Sequence, residues 1–357
     1  VNTATVTGGP YTVPSAGQFP AEGSVEEQFL FLLRYAVLAP STFNTQPWHF
    51  RVSVEGVELY GDYTRRLPVA DPAGRELLMS IGAAVMNLRV AAAFFDFGCE
   101  VVYNDSGSSE EPLAFVNLLP GEASVHGGAG LDVLFPQLTR RHTNRKAFLV
   151  SRVPASVISQ VQHLAASGET VVSASTDGKL NDAVAGLVAE ADRLLLADPA
   201  YRRDVAEWLR PNDTLQPDGM RGEVAGLDGS VAPFAPWATR MVDLGRLRAA
   251  HDKNLCVDAP GLIAIAGEDT VPHWLAAGEF LERMLLLLTA EGIRHSYFNM
   301  PVQVPALRLE LRKLLGLHVW PQLLLRIGYS LAEPLPTPRR PINEFLLPTR
   351  EQGEYFR

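Results

Sequence analysis

Two cysteines, Cys99 and Cys256, are all that the 357 residues contain. Without CxxC spacing they cannot build a disulfide framework, so a reducing compartment, the cytoplasm, is expected. Long apolar runs are also missing. The stretch around residues 284–288 is far shorter than the roughly 20 residues that cross a bilayer, and no membrane partner is expected. There is no basic excess either: a net charge of −9 argues against a nucleic-acid partner, which calls for a basic face. The N-terminal "VNTATVTGGPYTVPSAGQFPAEG" has neither the basic start nor the apolar centre of a signal peptide. Its Gly, Pro, Ser and Thr mark residues 1–25 as a flexible lead-in. The chain begins at Val1 rather than Met, which leaves room for a processed segment upstream. The eight histidines show no HExxH or paired ligand spacing, so no metal site is expected. A GxSxG elbow and a Walker A loop are absent, and "GGAG" at 127–130 lacks the strand–turn–helix setting of a dinucleotide fingerprint.

What is present is an ordinary globular composition, 47% apolar and 20% charged, long enough for two domains or for one domain built twice. Ser24 and Glu27 read as a capping box opening a helix over "EEQFLFLLRYAVL", which Pro40 ends. "WHFRVSVEGVELYGD" alternates as a hairpin that turns at Glu55-Gly56. "DPAGRELLMSIGAAVMNLRVAAAFFDFG" predicts a long helix with Asp71 as cap, Pro72 in the first turn and Gly98 as terminator. "CEVVYN" and "LAFVNLLP" read as strands. The order then partly repeats: helix "VPASVISQVQHLAA", strand "TVVSAST", helix "KLNDAVAGLVAEADRLLLAD", buried strand "GLIAIAG", and core helix "WLAAGEFLERMLLLLTAEG" closing on Gly292. Two helices echo each other, each with an early glycine and a polar residue five positions on, Asn87 and Arg283. Between them, residues 199–236 are rich in Pro and Gly and poorly periodic, as in a lid or mobile segment. Trp208 and Trp237 bracket it and could cover a bound ring, packing being the alternative.

Two stretches stand apart. "APSTFNTQPWHF", residues 39–50, packs hydroxyls and carboxamides before a strand. It reads either as a loop that Asn44 and Gln46 tie to its own backbone, or as a set of donors and acceptors for a planar, amide-rich ligand edge. "RRHTNRKAF", residues 140–148, is a basic cluster on an acidic chain. It is either a solvated turn or an anion site.

With "IGY" at 327–329 and "PRRP" at 338–341, these stretches resemble the FMN-dependent nitroreductase superfamily, most closely its Acg-like subgroup. Members carry an R-x-S-x-R/K motif, a P-S-x-x-N-x-Q-P-W-x-F loop, a GYP-type strand and a C-terminal R-x-P arginine. The order departs from the family, because here the loop precedes the basic motif by about a hundred residues. In the family FMN sits at a dimer interface, one subunit giving the loop and the other the arginines. The resemblance therefore implies an α+β nitroreductase-like fold made of two fused halves, an intrachain pseudo-dimer. Residues 26–135 would form the first half, 138–330 the second with a lid at about 199–245, and 331–357 a C-terminal clamp. One FMN and a monomer are implied.

By the same resemblance Arg141 and Arg339, or Arg340 if the register slips by one, fork the phosphate, with Thr143 adding a hydroxyl and His142 lying between them. Arg145 matches the position that stabilises negative charge on the reduced ring. Pro40, Ser41 and Thr42 line the other side and Asn44 shapes the loop. Asn299 and Met300 stand where the family offers backbone N–H groups. His142 and His295 read as structural rather than catalytic. The implied activity passes hydride or electrons to a small acceptor such as a nitro compound, quinone or enone, with NAD(P)H as a candidate reductant. A flavin-sequestering protein with a covered flavin is the alternative.

Overall fold

The computed structural model describes residues 12–123, 130–166, 168–222, 232–331 and 333–349. Helix α1 (Val25–Ala36) starts at the capping box: Glu27 N donates to Ser24 Oγ at 3.3 Å, and Ser24 N donates to the Glu27 carboxylate at 2.9 Å. The hairpin β1 (Trp48–Val52) and β2 (Val57–Gly61) turns at Gly56. Helix α2 (Arg75–Phe94) leads to β3 (Phe97–Tyr103) and β4 (Ala114–Pro120). These strands form an antiparallel sheet in the order β1-β2-β4-β3.

The same sequence of elements follows again. Helix α3 (Ala155–Ala166), β5 (Val171–Ser175), β8 (Gly261–Gly267), α8 (Val271–Ala290), β9 (Arg294–Tyr297) and β10 (Trp320–Gly328) build a second antiparallel sheet, β5-β8-β10-β9. Helix, two strands, helix, two strands, with one strand order, thus occurs twice. The second occurrence carries two insertions. Between β5 and β8 lie α4 (Gly178–Ala197), α5 (Pro199–Trp208), the paired dipeptides β6 (Leu209–Arg210) and β7 (Met220–Arg221), α6 (Ala235–Met241) and α7 (Gly245–Val257). Between β9 and β10 lie the single turn α9 (Met300–Gln303) and α10 (Pro305–Leu314).

The two units meet where α2 crosses α8. A Cβ on Gly82 would stand 2.0 Å from Leu275 O, and one on Gly278 would stand 2.0 Å from Met79 O. Only glycine lets the two backbones approach this closely. Helix α2 is also long and apolar enough to cross a membrane, the one such helix among the described residues, but most of it is buried inside the protein against α8 and α1. The tail closes back on the first sheet: Phe50 N donates to Phe345 O and Leu347 N to Phe50 O, both at 2.8 Å, so residues 345–347 run parallel to β1.

Several sequence expectations shift. Helix α2 starts at Arg75, after Gly74 takes φ +70°, rather than at Pro72. Asp71 still serves that end, its carboxylate accepting from Leu77 N at 3.0 Å. The helix is terminated by Asp96, at φ +65°, while Gly98 lies inside β3 opposite Leu119. The two matched polar positions differ: Asn87 is fully buried with Glu282 as its partner, whereas Arg283 is only half-buried. The stretch 199–236 is not all irregular. Asp198 caps α5, its carboxylate accepting from Ala200 N at 2.8 Å, and Tyr201, Val205 and Trp208 line one face of that helix. Its charged residues hide this spacing in the sequence. Residues 223–231, and 127–129 of the "GGAG" turn, lie outside the described residues.

Candidate functional site

Residues 40–44, 141–145 and 335–339, far apart in sequence, line one cavity of about 580 Å³, a size that suits a small-molecule cofactor. Its remaining wall comes from α2, α4–α8, β6, β7, β9, β10 and α9.

The loop after α1 is held in a costly shape. Phe43, Asn44 and Gln46 all sit at positive φ, +50°, +58° and +52°. A non-glycine residue there costs on the order of 1–3 kcal/mol, so the surroundings must over-determine the conformation. They do so through side chains. Ser41 Oγ accepts from Gln46 N at 2.9 Å, and Thr42 Oγ1 donates to the Glu76 carboxylate at 2.7 Å. Asn44 Nδ2 donates to Gly219 O and Pro338 O, at 3.2 and 3.1 Å. Gln46 Nε2 donates to Pro217 O at 2.8 Å, and Gln46 Oε1 accepts from Arg340 N at 2.9 Å. Apart from a longer Gln46–Asn44 contact, these carboxamides therefore bind the loop to the 217–219 segment and the tail rather than to its own backbone. Pro40, Ser41, Thr42 and Asn44 all reach the cavity wall.

Arg339 also reaches the wall, yet it acts as a clamp. Its Nε donates to Val37 O at 2.7 Å, its Nη2 to Leu38 O and Ala39 O, and its Nη1 to Asn44 Oδ1, Thr337 and Pro338 O. Every N–H of the guanidinium has a protein acceptor, and three of those acceptors are carbonyls at the C-terminal end of α1, where a cation is favoured. These bonds engage the guanidinium that the resemblance assigns to a phosphate. Arg340 is not on the wall: it pairs with Glu344 at 2.9 Å and lies over the Phe345 ring.

Arg141 is different. It is buried, its Nη2 donates to Leu38 O at 3.1 Å, and its Nε lies 3.0 Å from Glu282. Among the described residues its Nη1 is buried without a hydrogen-bond partner, and so is the hydroxyl of Tyr297, another wall residue. Glu282 sits fully buried on α8. Asn87, with its amide nitrogen toward Glu282, donates at 3.0 Å and accepts from Ala39 N at 2.9 Å. Burial pushes the Glu282 carboxyl up to about 7 against the opposing pull of Arg141 and Arg339.

Arg145 lies on the wall, and burial, with Arg248 beside it, lowers its pKa to about 10, so it stays charged near neutral pH. Thr143 pairs parallel to His295, with Asn144 N donating to His295 O at 2.9 Å, which adds this segment to the free edge of β9. Behind it the buried Arg326 of β10 donates to Arg145 O and Lys146 O, both at 3.0 Å. Burial and the neighbouring arginines lower His142, a wall residue, to about 3 and hold His295 well below the usual range. Both are neutral, which fits structural roles and reports the positive field of the cluster. Asn299 and Met300 reach the wall at the start of α9, Asn299 Oδ1 accepting from Leu324 N at 3.0 Å. Trp208 and Trp237 do not line the cavity: Trp208 is buried under the Arg65 guanidinium and Trp237 is exposed. Among the described residues no cluster of three or more His, Cys, Asp or Glu is placed to hold a metal ion.

Glu282, Glu76 and Arg326 escaped the sequence reading. The available signal was a lone charge inside an apolar run, as in "QLLLRIG".

No family model matches the chain. A curated protein of Mycobacterium tuberculosis, named "Putative NAD(P)H nitroreductase Rv3131", is 30% identical over 325 residues, covering 88% of this chain and 89% of its own length. A second protein from the same organism, bearing the same form of name with the designation acg, is 25% identical over 321 residues, 87% of this chain and 93% of its own. Among solved structures, the FMN-dependent nitroreductase NfnB from Mycobacterium smegmatis, in complex with NADPH, aligns at 17% identity over 62% of this chain and 100% of its own, with a TM-score of 0.40. On the full-length match at 30% identity, this chain belongs to the nitroreductase family.

Proposed function

We propose that this chain is an FMN-dependent oxidoreductase with one flavin site, built from two fused nitroreductase-like halves, residues 26–135 and 138–330. One observation carries the proposal: the 40–44 loop of the first unit and the 141–145 segment of the second meet on one cavity, where Arg141 Nη1 and the Tyr297 hydroxyl are buried donors without acceptors. An acceptor-rich anion matches such a wall. Arg141, with Thr143 and Tyr297, would hold it. Pro40, Ser41 and Thr42 would face the opposite side, with Asn299 and Met300 near the ring.

The chemistry FMN supplies when bound is transfer of hydride or electrons between a nicotinamide and a small acceptor such as a nitro compound, quinone or enone. Arg145, charged near neutral pH, would stabilise the negative charge that reduction brings. Arg339 and Asn44 would keep the loop in its strained shape, so that the wall is preorganised before ligand arrives. The neutral His142 and His295 would not exchange protons near pH 7.

The test is a titration of purified protein with FMN. Uptake of one equivalent per chain is expected, and a protein that takes up none overturns the reading. Anaerobic mixing of the loaded protein with NADPH then separates turnover from storage: a bleached flavin band is expected of the oxidoreductase.

A sequestering role has one observation in its favour. Residues 195–221 roof the cavity and are fastened to the first unit. Asn44 and Gln46 bond Gly219 and Pro217, Asp218 pairs with Arg65 and Arg210, and the Asp204 carboxylate accepts from Val69 N and Ala70 N. These ties would hold the described part of the lid expected at about 199–245 closed over the flavin. A flavin band that NADPH leaves unbleached would favour storage.

A further inference from the structure

The cavity has a mouth, and its rim is largely aliphatic. Val242, Leu244, Leu247 and Leu335 belong to the cavity wall, yet they are 41%, 36%, 72% and 54% exposed. A side chain that both lines a cavity and faces solvent stands at its opening. Three of the four come from the start of α7 and the residues before it, and Leu335 comes from the tail. On α6, which precedes these residues in the chain, Trp237 is 64% and Met241 61% exposed. The polar members of the rim are Arg248, paired with the buried Asp252 at 2.7 Å, and His251. Exposed aliphatic and aromatic side chains gathered in one place mark a binding surface rather than ordinary scatter.

Inside the rim the roof stays apolar through Val205, Leu209 and Met220, whereas the charged donors Arg141 and Arg145 belong to the 141–145 wall. With a flavin held by that wall, an acceptor stacked on the flavin presents a planar ring, and a substituent leading outward from it meets the apolar roof and rim. We infer that the acceptor is amphiphilic: a planar electron-accepting ring whose alkyl chain leaves the cavity over Val242, Leu244, Leu247 and Leu335. This rests on the flavin reading above and narrows its substrate class from small soluble acceptors to ring compounds with a hydrocarbon tail.

Binding tests it without turnover. FMN-loaded protein is titrated calorimetrically with 1,4-naphthoquinones carrying a 2-alkyl group of one, four or six carbons. Each methylene laid on apolar surface strengthens binding by up to about fourfold when fully buried. On a half-open rim the six-carbon compound is expected to bind at least about tenfold more tightly than the one-carbon compound. Leu247→Asp combined with Leu335→Asp should abolish that gain while leaving the one-carbon affinity and the flavin content unchanged. These positions are exposed, so the fold should tolerate them. Affinity that is independent of chain length in the loaded wild-type protein overturns the inference alone, as does an equal loss for all three compounds in the double variant. A dimer that the double variant converts to monomer would assign the rim to a second copy and overturn it too. A protein that takes up no FMN overturns the flavin reading, and this inference with it.

Discussion

Arg141 and Arg339 share the Leu38 carbonyl but differ in what they have left to give. Arg339 spends all its donors on the loop and tail, whereas Arg141 keeps a buried Nη1 without a partner. Replacing Arg141 and Arg145 together by alanine should weaken FMN binding by at least about tenfold, or roughly 1.4 kcal/mol, by fluorescence titration. Arg339→Ala should instead lower thermal stability first, because it frees three carbonyls and the strained loop at once. Asp192, on the cavity wall and α4, makes a different prediction. Burial, then the charge of Asp252, raises its pKa to about 8 from an ordinary 3.8. The folded chain therefore holds a proton that the unfolded chain loses near pH 4. Stability from this group is complete below that value, falls as pH rises toward 8, and levels off above it. Asp192→Asn should flatten the decline of Tm between pH 5 and 8 relative to wild type, leaving the slopes due to Asp71 and Glu282, whose carboxyls burial raises to about 6 and about 7. Parallel curves for variant and wild type would contradict this.

At the scale of elements, the crossing of α2 and α8 joins the two units. Gly82 and Gly278 each face the other helix's backbone, so even a methyl group forces the helices apart. Gly278→Ala should cost about 2–3 kcal/mol in urea unfolding, and Gly82→Ala a similar amount. Because either change opens the same crossing, the double variant should cost less than the sum of the two. The polar bridge Asn87–Glu282–Arg141 passes through this crossing, so a wider helix gap would also disturb the cavity wall. The roof is tied to the first unit mainly through Asn44, Gln46, Arg65 and Asp204.

At the scale of the whole molecule, one order of helices and strands occurs twice in the chain, and segments from outside each sheet join its edges. Residues 345–347 pair with β1 and residues 143–144 with β9, so each sheet receives an edge from sequence outside its own strands. Such edge pairing also covers backbone that would otherwise invite another chain. Truncation after Leu335 removes Arg339 and the added edge together. It should lower FMN affinity and shift the protein toward larger species than the intact chain forms in size-exclusion chromatography. Retained affinity with unchanged size would contradict the clamp.

Some of this was settled by the sequence alone. The Ser24–Glu27 capping box, the turn at Gly56, the buried strand 261–267 and the helix closing on Gly292 rest on signals that act within a few residues. The loop at 40–46 and the basic segment at 141–145 were legible because their residue types and order are unusual. What the sequence could not decide was who satisfies whom. Asn44 and Gln46 are as able to bond their own turn as to bond Gly219 and Pro217, and only the folded chain brings the latter within reach. Arg339 reads like a phosphate fork until the carbonyls of residues 37–39 arrive some 300 positions away to occupy it. Glu282 and Arg283 are neighbours with opposite fates because the helix face that meets Arg141 is fixed by the glycine crossing. A buried donor or acceptor must be satisfied, and at this site the partners come from segments that only tertiary packing brings together.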